Sequence, residues 1–274
     1  MSAAVWILPA AAVLALLIRM LWEPRRPEVT RIPLGEGGRT LRVLLLTDLH
    51  AGLCYVPAAR LAAEISASGA DVLLFAGDAC SGRYDANKAR RMLAALGNAA
   101  RKAGMPACAV PGNHDRALSD QDFEESGFRM LRNRETSVLS RDGSSWRIIG
   151  LDDMKHGRPV PPSPGRGPGG IPAERTVVLA HNPDAVFLLP SGLARFILSG
   201  HFHGGQIWMP FHFEFRVLRH ERLVSEGVYR GRFERNGVTG YISRGIGCVV
   251  FPFRLASRPE LAVVDLYDAG ADRV

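Results

Sequence analysis

Short apolar runs alternate with helical patterns along residues 41–110. The runs at residues 41–47, 71–76 and 105–110 are almost wholly apolar, which predicts strands buried on both faces. Residues 57–68 and 85–103 have the length and the end signals of helices. This β-α-β-α-β order predicts a parallel sheet that is covered by helices on both faces.

Shorter strand patterns follow in the second half of the chain. Strands are predicted at residues 136–139, 146–151, 176–180, 195–198, 205–208, 240–243 and 261–266. Residues 157–172 are rich in proline and glycine, and they are expected to form a surface loop or, alternatively, a mobile flap over a site. The two halves together predict one α/β domain in which a mixed sheet packs on the first sheet.

The longest apolar run covers residues 3–18, with Pro9 inside it. Extended to Trp22 it would span about 30 Å, the thickness of a hydrocarbon core, if Arg19 reaches the interface. We therefore expect residues 1–22 to form an uncleaved transmembrane anchor. A cleaved signal peptide is the alternative, but no basic residue precedes the run and no small-residue cleavage site follows it. The basic residues after the run predict that the rest of the chain lies on the cytoplasmic face.

The amino-acid composition changes after residue 22, and this change predicts where the domain boundaries lie. Residues 23–40 are rich in proline, glycine and charge without clear periodicity, and they are expected to form a linker. Residues 41–274 are then expected to form a single globular domain.

Composition narrows the class of protein. Hydrophobic residues make up 47% and charged residues 22%, which excludes a disordered or collagen-like chain. The net charge of +7 is diffuse outside the N-terminal region, which suits a membrane surface or an anionic substrate and does not by itself indicate nucleic acid. The four cysteines form no CxxC pair, which argues against a zinc ribbon and favours a reduced compartment.

Five polar strings stand out because each follows a predicted strand. They are Thr47-Asp48-Leu49-His50, Gly77-Asp78, Pro111-Gly112-Asn113-His114-Asp115, Ala180-His181-Asn182 and Gly200-His201-Phe202-His203-Gly204-Gly205-Gln206. The carboxyl ends of strands in an open α/β sheet converge on one crevice, where ligand sites form. A turn or a helix cap is the ordinary interpretation of any one string alone, but five strings together predict a single site.

These strings offer more metal ligands than one ion needs. The side chains are two carboxylates, one amide and four imidazoles: Asp48, Asp78, Asn113, His50, His181, His201 and His203. This number suits two metal ions that share a bridging carboxylate better than one four-coordinate zinc. Nitrogen and oxygen ligands without thiolate favour Mn²⁺, Fe or Zn²⁺ over Ca²⁺.

The order D-x-H, G-D, G-N-H-D, H and G-H-x-H resembles the calcineurin-like metallophosphoesterase family over residues 41–266. The string G-H-x-H-G-G-Q at residues 200–206 is similar to a bacterial branch with an N-terminal membrane segment, which includes a UDP-2,3-diacylglucosamine pyrophosphatase. The resemblance implies a four-layer αββα sandwich, with two mixed β-sheets packed together and flanked by helices, preceded by one transmembrane helix. It also makes residues 41–274 the catalytic domain.

The resemblance implies a role for each residue of the five strings. One metal ion would be held by Asp48, His50 and His203, the other by Asn113, His181 and His201, with Asp78 as the bridge. His114 would serve as general acid or stabilise the transition state, and Asp115 would orient it. Residues 79–81 read Ala-Cys-Ser where some relatives carry a second acid, which limits how far the substrate can be carried over.

The implied reaction is hydrolysis of a phosphodiester or pyrophosphate bond by a hydroxide that two metal ions bridge. The apolar N-terminus favours a membrane-associated or lipid-linked substrate, of which UDP-2,3-diacylglucosamine is the sharpest candidate. A general soluble phosphodiesterase or phosphatase and a non-catalytic membrane-tethered scaffold are the alternatives. No nucleic-acid partner is expected, because a nuclease would need a concentrated basic groove.

Three further groups of residues leave alternatives open. The aromatic residues between positions 208 and 215 fit either an acyl-chain groove or ordinary core packing. Four arginines are either phosphate-binding groups or surface charges: Arg216, Arg219, Arg222 and Arg244. His156, His212 and His220 belong to no motif and are given no role.

Overall fold

The computed structural model describes residues 4–268 of the chain. Its α-helices are α1 (Ala4–Trp22), α2 (Ala58–Ala67), α3 (Ala86–Lys102), α4 (Asp120–Glu125), α5 (Phe213–Leu218) and α6 (Arg222–Ser225). Its strands are β1 (Glu28–Leu34), β2 (Arg39–Leu46), β3 (Val72–Phe75), β4 (Ala107–Ala109), β5 (Arg129–Met130), β6 (Arg134–Leu139), β7 (Ser145–Gly150), β8 (Thr176–Leu179), β9 (Phe196–Ser199), β10 (Gly231–Arg235), β11 (Val238–Ile242) and β12 (Glu260–Asp268).

Two six-stranded sheets form the centre of the domain. The first has the order β1-β12-β2-β3-β4-β5, with β2 to β5 parallel and β12 antiparallel to β2. The second has the order β10-β11-β9-β8-β7-β6, with four parallel central strands and an antiparallel hairpin at each edge. Both sheets are mixed, as the sequence predicts.

Alternate residues along each strand build three apolar layers. Leu44 and Leu46 of β2 pack with residues of α2 and α3, whereas Leu45 faces the second sheet. On the opposite face of the second sheet, Ile197 packs with Phe215 of α5, among other residues. The period-two alternation of strands places one apolar set between the sheets and one set under each helical layer. The predicted α/β sandwich of two mixed sheets flanked by helices is confirmed.

The prediction that residues 23–40 form a linker is corrected by the structure. Within it, Glu28–Leu34 forms β1 and pairs in parallel with β12 over its whole length. The strand lies at the edge of the sheet and alternates between half-buried and exposed positions, so a proline inside it breaks no essential ladder bond. Pro33 and the charged residues of this edge strand made it resemble a linker in the sequence.

Two of the predicted second-half strands also differ from the structure. Residues 205–208 form no strand, because Gly204 and Gly205 adopt positive φ values of 56° and 83° and leave only an isolated bridge from Ile207 to Leu255. The strand predicted at residues 261–266 exists as β12, but it joins the first sheet between β1 and β2. The chain therefore returns to its first sheet at the end, which a local pattern does not reveal.

The N-terminal helix is long and apolar enough to cross a membrane. The qualifying segment is Ile7–Arg25, with a mean hydropathy of 1.6, and only 11% of it is buried. Its end is attached to the domain, because the backbone N–H of Arg254 donates to the Met20 carbonyl at 3.1 Å. The apolar N-terminal helix that the sequence predicts is present.

Candidate metal centre

All five polar strings meet at one edge of the sandwich, where strands of both sheets end. Asp48 and Asp78 follow β2 and β3 of the first sheet, and His181 and His201 follow β8 and β9 of the second. Several of these residues lie in the left-handed region, with φ of 53° at Asp48, 58° at Asp78 and 73° at His201. Such backbone is costly for residues other than glycine and is concentrated at functional sites.

The first cluster consists of Asp48, His50 and His203, all of them buried. The Nε2 atoms of His50 and His203 lie 3.1 Å apart, and His203 Nε2 lies 3.3 Å from Asp48 Oδ1. Ser81 Oγ lies 3.0 Å from His50 Nδ1 and so contacts the ring from its far side. Three potential ligand atoms therefore converge on one point.

The second cluster consists of Asp78, His181 and His201, with Asn113 beside it. His181 Nε2 lies 3.2 Å from Asp78 Oδ2, 3.1 Å from Asn113 Oδ1 and 3.0 Å from His201 Nδ1. His181 Nδ1 donates to the Ala76 carbonyl at 2.7 Å, which leaves the Nε2 lone pair directed into the cluster. Backbone packing thus selects the tautomer in which Nε2 can act as a ligand.

Asp78 connects the two clusters. Its Oδ2 lies 3.4 Å from His50 Nε2 in the first and 3.2 Å from His181 Nε2 in the second. Its Oδ1 accepts the backbone N–H of His114 at 2.8 Å. A Cβ at Gly112 would collide with the Asp78 carboxylate, so glycine is needed there for the two strings to approach.

The atoms that converge in the two clusters are better suited to binding cations than to forming hydrogen bonds with one another. The converging atoms are carboxylate oxygens, an amide oxygen and imidazole nitrogens, which are acceptors unless an imidazole is protonated. Burial alone would lower the pKa of His181, but the Asp78 carboxylate outweighs burial and raises that pKa to about 10. Burial and the neighbouring His50 lower the pKa of His203 well below its ordinary value. A proton or a metal ion is therefore required among these buried acceptors, and divalent metals suit this set of ligands.

His114 borders the clusters without joining either group of converging atoms. Its ring lies 5.1 Å from the His50 ring in an edge-on arrangement, and it lines the open cleft above the clusters. Burial is the main cause that lowers the pKa of His114. The imidazole is therefore mostly neutral at neutral pH.

Asp115 has a different partner from the one that the sequence suggested. Its carboxylate accepts backbone N–H groups of Asp78, Ala79, Cys80 and Gly112 at 2.8–3.2 Å. Within the described residues its hydrogen bonds go to this backbone and not to the His114 ring. Asp115 therefore shapes the loop that carries Asp78, and the orienting role toward His114 is a correction.

Sequence reasoning missed Glu221, which follows α5 and belongs to no motif. Its Oε1 lies 2.9 Å from His201 Nε2, and Arg219 donates to the same oxygen at 3.2 Å. Arg219 also donates to the His201 carbonyl at 2.6 Å. No local sequence signal marks this pair, because it reaches the site from a helical segment outside the sheets.

The cleft above the clusters has a volume of about 460 Å³. Besides Asp78, Asn113, His114, His201 and His203, it is lined by Lys155, Arg219 and His220. The loop at residues 157–172 does not line it: Gly165 and Gly167 pack against Arg147 near the beginning of β7, at the other end of that strand from the site. The flap alternative is therefore not supported.

Arg216, Arg219, Arg222 and Arg244 differ in whether they lie at the cleft. Arg219 lines the cleft. Arg244 is paired with Glu28 at 2.8 Å and Glu260 at 3.2 Å, and Arg222 is paired with Glu226 at 3.0 Å. Arg216 is exposed and does not line the cleft. Arg219 also pairs with Glu221 at 3.2 Å, but it is the one of the four that lines the cleft, where its position suits phosphate binding.

Comparisons with known proteins agree with this geometry. The family model described as calcineurin-like phosphoesterase matches residues 41–205. The chain is 29% identical over 233 residues to the uncharacterized metallophosphoesterase YkoQ of Bacillus subtilis (strain 168), which covers 81% of this chain and 82% of that protein. It is 28% identical over 244 residues to the phosphodiesterase YaeI of Escherichia coli (strain K12), covering 84% of each. A transmembrane protein with metallophosphoesterase domain from Danio rerio is 28% identical over 262 residues, covering 88% of this chain and 56% of that protein.

Proposed function

We propose that this chain, which belongs to the calcineurin-like phosphoesterase family and is a metal-dependent phosphoester hydrolase, uses two metal ions. The bond that it cleaves is proposed to be a phosphodiester or a pyrophosphate. The observation that carries the proposal is the position of Asp78. Its Oδ2 lies within 3.4 Å of an imidazole nitrogen in each cluster, where a bridging carboxylate would be needed.

The ligands would divide between the two clusters. Asp48, His50 and His203 would hold one ion, Asn113, His181 and His201 the other, and Asp78 both. The bound pair would supply Lewis acidity and lower the pKa of the attacking water toward neutrality. The absence of cysteine from the clusters favours Mn²⁺, Fe or Zn²⁺, and we propose Mn²⁺ as the first metal to assay.

The protein groups around the ions would bind and orient the phosphoryl group. His114 lines the cleft beside both clusters, and its lowered pKa favours a neutral ring that donates a hydrogen bond to a phosphoryl oxygen over transfer of a proton to the leaving group. Arg219 and Lys155 bring positive charge to the same cleft. They would attract an anionic substrate and offset its remaining charge.

The substrate is proposed to be associated with the membrane. Residues 1–22 would anchor the chain, with the catalytic domain on the cytoplasmic face as the basic residues after the helix favour. The helix is long and apolar enough to span, and a relative that covers most of this chain is named a transmembrane protein. A lipid-linked pyrophosphate such as UDP-2,3-diacylglucosamine fits this location, and a soluble diester is the alternative.

Hydrolysis of bis-p-nitrophenyl phosphate by the purified full chain tests the chemistry. We expect turnover that needs added Mn²⁺, Zn²⁺ or Fe²⁺ and is lost with a chelator. Metal-dependent turnover that persists in Asp78→Asn would contradict the role of the bridge. UDP-2,3-diacylglucosamine and total membrane lipid, followed by mass spectrometry of the products, then separate the substrate classes.

A further inference from the structure

A group of large apolar side chains is exposed beside the cleft. We define the apolar rim as Met209, Phe211, Phe213, Leu218, Val250 and Phe251. Their exposed fractions range from 36% at Met209 to 84% at Phe211. The aromatic stretch considered in the sequence therefore divides: Phe215 is buried in the core, whereas Phe211 and Phe213 face outward. A cluster of exposed apolar side chains marks an interaction surface.

Hydrogen bonds join the two segments of the rim. The Gln206 side chain donates to the carbonyls of Val249 at 3.0 Å and Phe251 at 3.1 Å, and accepts the Val249 N–H at 2.7 Å. The Trp208 N–H donates to the Leu255 carbonyl at 2.9 Å. Residues 206–208 and 249–255 thus form one unit, which holds the rim residues Val250 and Phe251 in place.

The same unit is attached to the end of the apolar N-terminal helix. Arg254 N–H donates to the carbonyl of Met20, which lies two residues before the end of α1. Phe251 is three residues before Arg254, within about 11 Å of it even in an extended chain. Arg26 lies over the Trp22 ring at 4.5 Å, a pair suited to the headgroup level of a bilayer. The rim therefore lies near the level at which α1 would leave the membrane.

An apolar groove leads from the rim toward the metal centre. It has a volume of about 400 Å³, and its lining includes Phe202, Ile207, Phe215 and the rim residues Met209 and Phe251. His203, Leu218, Arg219 and Val249 line both this groove and the cleft above the clusters. An acyl chain in the groove would place an attached phosphate group beside the metal ligands.

We propose that the apolar rim inserts into the same bilayer that holds α1, and that the groove receives an acyl chain of the phosphoester lipid hydrolysed in the cleft. The occupant is membrane lipid because the segment that carries Val250 and Phe251 is joined through Arg254 to the end of the apolar helix, while Arg25 and Arg26 after that helix suit anionic headgroups. The inference rests on the proposed membrane anchor and gives the proposed hydrolase its substrate class, a lipid with a phosphoester near its acyl chains.

The test uses fluorescence quenching with the full chain in vesicles of phosphatidylcholine and phosphatidylglycerol. An environment-sensitive thiol dye is attached to Phe251→Cys and, as a control, to Leu139→Cys, which is 67% exposed on β6 at the far edge of the second sheet. The four native cysteines are buried, so the dye selects the introduced thiol. An unchanged midpoint of thermal unfolding shows that each labelled protein is folded.

We expect a nitroxide on the lipid acyl chain to remove most of the fluorescence at position 251 and little at position 139. A nitroxide on the headgroup should quench position 251 less than the acyl-chain nitroxide does. Equal quenching at both positions, or stronger quenching by the headgroup nitroxide, would overturn the insertion. Shielding at position 251 that grows with protein concentration and does not respond to nitroxide lipid would assign the rim to a second copy of the chain, and would also overturn it.

The groove is tested with the same labels and without turnover. A non-hydrolysable phosphonate lipid that carries an acyl-chain nitroxide, added in trace amount, should quench a dye at Ile207→Cys, which lines the groove, more than an equal amount of nitroxide phosphatidylcholine does. Equal quenching by the two lipids would overturn the groove assignment. Because no measurement here needs hydrolysis, a failed docking result is distinguishable from a failed hydrolase, which the soluble diester tests separately.

Discussion

Glu221 Oε1 lies 2.9 Å from His201 Nε2, on the side of the imidazole that faces away from the second cluster. A carboxylate is only an acceptor, so this contact favours the tautomer with the proton on Nε2 and the lone pair on Nδ1. Arg219 Nη1 also lies 3.1 Å from Nε2, but it can donate to Glu221 Oε1 at 3.2 Å instead. Nδ1 is the atom that lies 3.0 Å from His181 Nε2. Glu221 therefore presents His201 to the cluster in the tautomer that a ligand requires.

Glu221→Ala should weaken binding at the second cluster by about 10- to 100-fold, the usual loss when such an orienting partner is removed. Glu221→Gln is the matched control, because its amide oxygen can still accept from Nε2. The measurement is calorimetric titration of the metal-stripped protein with Mn²⁺. Equal affinity in wild type and Glu221→Ala would refute the positioning role.

Asp78→Asn should lose metal from both clusters, because one neutral amide replaces the charge that both share. The amide oxygen can still accept the His114 N–H, so the loop is retained. Elemental analysis after dialysis should find far less metal per chain than in wild type. Loss from one cluster alone would show that Asp78 is not a bridge.

His114→Ala should keep its metal and lower kcat for the soluble diester by roughly 10². The reason is that the His114 ring lines the cleft but belongs to neither group of converging atoms. Steady-state kinetics and metal analysis on one preparation separate the two effects. A metal-loaded variant with wild-type kcat would remove His114 from the reaction.

Arg254→Met should destabilise the domain. The guanidinium is fully buried and donates to the carbonyls of Arg244, Gly247 and Ser257. It also donates to the His203 carbonyl at 3.4 Å. Each carbonyl left without a partner costs about 1–3 kcal/mol. Urea unfolding should report the loss, with the exposed Arg232→Met as control. Equal midpoints for the two variants would be inconsistent with this account.

Asp122 should contribute stability that depends on pH. Its hydrogen bond with Arg90 and its capping of α4 with Ser119 lower its pKa to about 2. A lowered carboxyl pKa means that the contribution is present above about pH 4 and is lost as pH falls through about 2. Asp122→Ala should therefore cost about 1 kcal/mol at neutral pH and lose less stability than wild type upon acidification. Acid unfolding in chelator, so that metal release is excluded, measures the difference, and parallel curves would count against it.

The site could be predicted from the sequence because its five polar strings occur in a fixed order along the chain. Each of the five strings follows an apolar strand, and strand ends of an α/β sheet share an edge, so their approach could be expected before any coordinates. The fold, the family and the metal-dependent hydrolase that this order indicated are confirmed. The roles of the individual ligands and the natural substrate stay predictions.

Contacts between residues far apart in the chain could not be predicted from the sequence in this way. The family resemblance implied that Asp115 orients His114, whereas folding turns its carboxylate toward the backbone of residues 78–80. The edge strand β1, which contains Pro33, was not predicted, because its pairing with β12 depends on residues more than two hundred positions later.

Periodicity and residue type within short windows are sufficient to predict the alternation of strands and helices, the apolar N-terminal helix and the chemical identity of the clustered side chains. The folded chain was needed to show that Glu221 contacts His201, that the Asp115 carboxylate binds the backbone of a loop and that the apolar rim lies near the end of α1. Those relationships join residues far apart in the chain, and the packing of two sheets against each other sets them through distances that no local pattern encodes.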